Sequence, residues 1–370
     1  MRHRASGFTI IELLVVLGVI ALLAAIGLPV IQNARETSRR AGCVNHLRQI
    51  GLALYQYHDQ HQVFPPGQIN AYFSSADPYG TFADPAEARN YKPGNTASVR
   101  PGEQGTSLFL LLLPMLKQEE IYHAWKFTAN VHRNGASLAD GGDPPLVPND
   151  QAALAYPARA DIATFYCPSR RSTMEANSSY ALVQRVDPSW RSGGNDYAGC
   201  VGSGVAFTWK AGTEYSQQTY LLSADQLARN LLPGSTRTPF AQDPLHQGIF
   251  GVNSRTTMKD LTDGASSTIA VCERRIFRRP AALRGSAVEQ RTSCDGWAWG
   301  GPATLFSTVH APQPAGDPFG RFFDEAGSEH PLGLNVLMAD GRVQLISLNI
   351  DLRSWQNLGN RAQGTPVDTF

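Results

Sequence analysis

From residue 13 to residue 28 the chain runs without a charge or a strongly polar side chain. Extended back to Phe8 and on to Ile31, the run reaches the ~20 residues that a helix needs to cross a bilayer. One carboxylate, Glu12, sits near its start, between Ile10-Ile11 and Leu13-Leu14-Val15-Val16. An ionisable group inside hydrocarbon is costly and marks a function or a partner. A basic leader, Met1-Arg2-His3-Arg4, precedes the run.

Three explanations compete: a cleaved secretory signal, an uncleaved anchor and a type IV prepilin signal. A secretory signal would be cut after the apolar core, near Ala24 and Ala25, leaving an irregular mature start. Here the helical pattern runs on. Cys43, Leu47, Ile50, Leu54, Tyr57 and His61 recur at steps of four and three, one stripe of an amphipathic helix. Residues 8–62 therefore read as one rod, roughly 80 Å long. Pro29 is expected to kink it, because proline removes a backbone hydrogen bond, and Gly27 eases the bend.

Gly7, Phe8, Thr9, Glu12 and the apolar run after them resemble the start of type IV pilins and type II secretion pseudopilins. The resemblance implies a leader of residues 1–7, cut between Gly7 and Phe8 by a prepilin peptidase that also methylates the new amino terminus. Glu12 is then the fifth mature residue, and Pro29 falls where many pilins bend. It implies in turn that Glu12 neutralises the amine of a neighbouring subunit, since two charges paired in low dielectric cost far less than either alone. Residues 8–31 would form the membrane and assembly segment. Arg2 and Arg4 flank one end and Arg35, Arg39 and Arg40 the other, so positive charge does not orient the span. The processing signature implies a single pass through the cytoplasmic membrane, leader inside and body outside, with a surface filament as one destination.

The remainder, residues 63–370, reads as a β-rich body, giving an α+β class overall. Hydrophobic residues at 42% and charged residues at 17% describe a globular chain, and the net charge of +1 excludes a broad basic field for nucleic acid. Loops are expected at 67–106 and 130–160, both rich in turn-forming residues. Residues 108–113 are apolar but too short to span a membrane, and with 117–125 they suggest a buried helix pair. Strands are expected at 162–167, 180–186, 196–201, 205–209, 248–252, 267–273 and 297–300, with a helix capped by Ser223 and a closing hairpin and short helix near 352–358.

Three motifs stand out. In HPLGLNVLMADGRVQLI, His330 precedes Asp340-Gly341, and the alternation of Leu334, Val336 and Met338 gives a hairpin with a type I′ Asp-Gly turn. His330 and Asp340 then lie at opposite ends of one strand, about 20 Å apart, too far for a dyad. His330 is expected to bond a loop or the adjoining sheet. In KDLTDGASSTIAVCE, Asp263-Gly264 makes a turn, and Asp260 with Asp263 is a weak calcium candidate beside the simpler reading of a locally bonded turn. In FYCPS, Cys167 would need a base to act as a nucleophile, and none is evident along the sequence. No C-x-x-C pair occurs among the five cysteines; if the body is exported, proximity in sequence suggests disulfides Cys167–Cys200 and Cys272–Cys294, with buried free thiols the alternative. His58 and His61 lie three apart, without a third metal ligand.

Together GFTIIELLVVL, LLLPMLKQEEIY, FYCPS, NDYAG, LTDGASST and HPLGLNVLMADG resemble a family of unknown function with a prepilin-type start and a C-terminal H-X9-D-G element, His330 to Asp340-Gly341 here. Membership implies an exported pilin-like protein that assembles with like subunits, and no known reaction. A membrane-anchored module that grips a glycan or protein through its loops is the alternative, and an anchored hydrolase a distant third.

Overall fold

The computed structural model describes residues 9–69, 106–127, 131–135, 154–174, 190–204, 246–251, 254–274, 295–313 and 325–364. Gly7, Phe8 and Cys294 lie outside the described residues, as do the expected strands 180–186 and 205–209, the helix after Ser223 and most of both long loops.

Helix α1 spans Ile10–His61, 52 residues without interruption, with Pro29 inside it. Thr9 caps its start, and Gln62, in the left-handed conformation at φ 59°, ends it by donating its N–H to the His58 carbonyl. The two halves meet different surroundings. In the first, Ile10, Leu14, Leu22, Leu23 and Ile26 are 62–78% exposed. In the second, Cys43, Leu47, Ile50, Leu54 and Tyr57 are all buried, the stripe that the spacing predicts. His61 departs from it: half-buried, it stacks on Tyr57 instead of entering the core.

What α1 packs on is a five-stranded sheet. Its strands are β3 (Tyr197–Cys200), β4 (Ile269–Glu273), β5 (Leu305–Phe306), β6 (Leu334–Met338) and β7 (Val343–Ile346), in the order β5-β3-β4-β6-β7. All neighbours are antiparallel except β3 and β5, which run parallel. A two-stranded pair, β1 (Gln68–Ile69) with β2 (Thr106–Ser107), lies apart from it. Side chains alternate between two cores. Tyr197, Val271 and Leu337 join the core that holds the second half of α1. Ala198, Cys200, Cys272, Leu334, Val336 and Met338 point the other way, toward Trp355 and Leu358 of the C-terminal helix at Leu352–Gly359. A bulge between Ile269 and Val271 shifts the β4 register. It leaves Ile269 and Cys272 on the Trp355 side while Val271 faces α1. Close approach of α1 needs a residue without a side chain: a Cβ on Gly51 would lie 2.8 Å from Leu337 Cδ1.

The apolar 108–113 segment forms helix α2 (Leu108–Leu112), buried throughout, followed by α3 (Glu119–Ala124). Ser107 caps α2 by accepting the Phe109 N–H at 3.2 Å. From Phe109 a chain of tilted ring contacts runs through Phe165 and Trp297 to Trp125, with centroids 4.8, 6.0 and 6.1 Å apart.

Several local expectations change. Residues 162–167 form a 3-10 turn at Ala163–Phe165 and no strand. Their backbone is bonded instead by one residue of NDYAG: Asp196 donates its N–H to the Phe165 carbonyl and accepts the Cys167 N–H on its carboxylate, 2.8 Å each. Residues 248–251 bond the end of β3 without joining the ladder, and Trp299 makes a single bridge to Thr106. The β6–β7 turn is not type I′. Only Gly341 takes positive φ, at 85°, while its N–H donates to the Met338 carbonyl and the Met338 N–H to that of Arg342. That is a type I turn closed by a glycine bulge, in which Asp340 keeps negative φ.

Candidate functional site

Two regions carry the residues singled out by the sequence. The first is the start of α1. Glu12 occupies the third position after the cap, and its Oε2 accepts the Thr9 N–H at 2.9 Å and the Thr9 hydroxyl at 2.8 Å. Thr9 Oγ1 in turn accepts the Glu12 N–H at 3.3 Å. This reciprocal box satisfies donors that the first helical turn leaves without intrahelical partners. Glu12 and the apolar side chains that follow it are exposed, available to a membrane or to another helix.

The second region lies where the lower half of α1 crosses the sheet. Gly42 lets Pro168 sit 3.1 Å from where its Cβ would be, so the CPS turn is pressed against the helix and Cys43 and Cys167 are brought together. His330, just before β6, is buried between α1 and β4. Its Nδ1 lies 2.5 Å from Glu36 Oε1, and its Nε2 lies 3.1 Å from Glu273 Oε1 and 3.8 Å from Cys167 Sγ. Glu36 Oε2 also takes the Arg39 guanidinium. Both carboxylate oxygens of Glu273 are engaged: Asn335 Nδ2 donates to Oε1 at 2.8 Å, while the Ser328 hydroxyl and the Asn335 N–H donate to Oε2 at 2.7 and 3.1 Å.

The electrostatics follow from this packing. Burial opposes a charge on His330, but hydrogen bonds to Cys167, Glu273 and Glu36 and the Glu273 charge carry its pKa up to about 10. Burial opposes the charge on Glu36 as well, which for a carboxylate means raising the pKa, but the bonds from His330 and Arg39 outweigh it and hold the pKa below the ordinary value. Hydrogen bonding to Cys43 and burial push the Cys167 thiol well up. An imidazole does stand beside Cys167, unseen in the sequence because 163 residues separate the two, but with its pKa raised it is protonated at neutral pH and is no base. The thiol too is held protonated, the opposite of an activated nucleophile.

Of the expected site residues, His330 bonds the neighbouring strand and the helix, while Asp340 serves its own turn by accepting the Arg342 N–H at 3.0 Å and its guanidinium at 2.6 Å. They share no partner in these bonds. Asp263 accepts the N–H groups of Gln363 and Gly364 at 2.6 and 2.7 Å, fastening the segment after the last helix. Asp260 caps a turn through Thr257. Both candidate calcium carboxylates are thus engaged by donors of the chain itself. The LTDGASST turn also holds the β6–β7 turn, with the Asp340 N–H donating to Ala265 and the Ala339 N–H to Thr268. Cys167 and Cys200 stand as separate buried thiols, not as the disulfide expected from their spacing. The sheet lies between them: Cys200 belongs to the core around Trp355 and Cys167 to the core around α1. Cys272 is likewise a free buried thiol. His58 and His61 are split between Phe64 and Tyr57. Sequence reasoning missed Glu36, Cys43 and Glu273 as members of this junction; each had read as an ordinary residue of a helix or a strand.

Residues 2–28 match the prokaryotic N-terminal methylation motif. Residues 32–353 match the family described as a protein of unknown function, DUF1559. The chain belongs to that family. The DUF1559 match spans the lower half of α1, the CPS turn, the sheet and His330, so the junction lies inside it. No curated protein and no solved structure matches the chain. With one helix among the described residues long and apolar enough to cross a membrane and a prepilin-type signal that runs into its start, this DUF1559 chain has the make-up of a single-pass, membrane-anchored, pilin-like protein.

Proposed function

We propose that this protein is a pilin-like subunit that is cut between Gly7 and Phe8 by a prepilin peptidase, N-methylated, and assembled with like subunits through its N-terminal helix. The observation that carries this reading is the division of α1: an apolar first half exposed along its length, and a second half built into the sheet. A helix of that form can slide its free half among identical helices while displaying the body beside them. Glu12 supplies the counter-charge for the new amine of a neighbouring Phe8, and the body faces away from the cytoplasm. Pseudopilin and pilin roles both fit this design.

Mass spectrometry of the protein purified from membranes tests the first step. An N-methylated Phe8 is the expected terminus; a start at Met1, or one near Ala25, overturns it. For assembly, Glu12→Ala should keep processing and abolish oligomers captured by cross-linking. The Thr9–Glu12 box favours a second reading, because there the carboxylate serves its own chain. On that reading the protein is a lone anchored binding module, and cross-linked oligomers, if any, survive Glu12→Ala unchanged.

A further inference from the structure

We propose that Cys43, Cys167, Glu273 and His330 form a binding site for one thiophilic divalent cation, zinc being the ion whose chemistry fits best. One donor atom from each of these four buried residues lies within 4.8 Å of all the others. They come from four separate segments: α1, the CPS turn, β4 and the residues before β6. Two thiols, an imidazole and a carboxylate are a donor set that selects zinc over magnesium or calcium, which prefer oxygen alone. Four-coordinate zinc, with bonds of about 2.3 Å to sulfur and about 2.0–2.1 Å to nitrogen or oxygen, has ligand-to-ligand edges of roughly 3.3–3.8 Å. Two edges are already near that size, 3.1 Å from His330 Nε2 to Glu273 Oε1 and 3.8 Å from Nε2 to Cys167 Sγ.

The outer contacts match as well. Metal-bound histidines commonly give their second nitrogen to a carboxylate, which fixes the ring and its tautomer. Glu36 takes that place at Nδ1, leaving Nε2 directed at the thiols and Glu273. Ser328 and Asn335 orient the Glu273 carboxylate, and Asp196 anchors the backbone of Cys167. On binding, the two thiol protons and the proton on Nε2 pass to solvent, and the cation takes their place. Because one ligand lies on α1 and the others on the body, the ion would clamp the anchor helix to the sheet. This site stands independently of filament assembly.

Full-length protein isolated anaerobically in detergent, stripped with chelator and titrated with Co²⁺, tests the site. One cobalt per chain is expected, with a thiolate charge-transfer band and the intense visible bands of a tetrahedral centre. Cys43→Ser and Cys167→Ser should each abolish the charge-transfer pattern of a two-thiolate site, Cys200→Ser and Cys272→Ser should leave it intact, and Glu36→Gln should weaken binding about 10–100-fold. X-ray absorption on the wild-type protein loaded with zinc should give a shell of two sulfurs and two lighter atoms, a readout that no variant's folding can disturb. Absence of a stoichiometric cobalt band, a zinc shell without sulfur, or a Cys43–Cys167 disulfide in the protein as isolated overturns the proposal.

Discussion

His330 Nδ1 lies 2.5 Å from Glu36 Oε1, across 294 residues of sequence, and this contact fastens the anchor helix to the residues that lead into β6. A buried ring with a partly buried carboxylate partner should show energetic coupling, because each loses its counterpart when the other is replaced. In a double-mutant cycle of Glu36→Gln and His330→Gln, followed by denaturation of the full chain in detergent, the coupling should be about 1–3 kcal/mol. Additive losses would show that the contact contributes nothing.

Gly51 sets how closely α1 lies on β6. A Cβ there meets Leu337 at 2.8 Å, and Leu337 is itself fully buried, with little room to turn away. Gly51→Val should cost about 1–3 kcal/mol through overpacking, outweighing what a helix gains on losing a glycine. Thermal unfolding of the two proteins checks this, and an unchanged or higher Tm would mean that the helix–sheet contact yields more easily than its geometry implies.

Asp263 ties down the residues that follow the last helix by accepting two backbone N–H groups. Asp263→Ala leaves Gln363 and Gly364 without that acceptor and should cost about 1–3 kcal/mol. Hydrogen exchange should quicken at Gln363 and Gly364 first, with the amides of β6 keeping their protection. Uniform acceleration across the sheet would contradict a local fastening role.

Acid should weaken the fold partly through His310. Burial lowers its pKa to about 4 in the folded chain, below the roughly 6.5 of an unfolded histidine. The unfolded state therefore binds the proton more readily, so the stability from keeping this ring neutral is present above about pH 6.5 and is lost as pH falls toward 4. His310→Gln should flatten the stability profile in that window. Parallel profiles for variant and wild type would rule the group out.

What the sequence by itself determined are the features that depend on neighbours along the chain. The apolar run from residue 13, the helical stripe from Cys43 to Tyr57 and the alternation in β6 are local patterns, the last two read from periods of 3.6 and 2.0 residues. Tertiary structure decided the rest. Residues 162–167 are apolar enough for a strand, yet Asp196 takes their backbone bonds, so they turn. Cys167 and Cys200 are close in sequence, but Cys200 points from β3 toward the Trp355 core while the turn that carries Cys167 packs in the core around α1, so the sheet parts them. The junction of Glu36, Cys43, Cys167, Glu273 and His330 exists only because a helix near the start of the chain lies across strands near its end. No spacing along the sequence encodes that meeting, since loop closure over so many residues leaves no periodic trace, and burial alone brings the donors together.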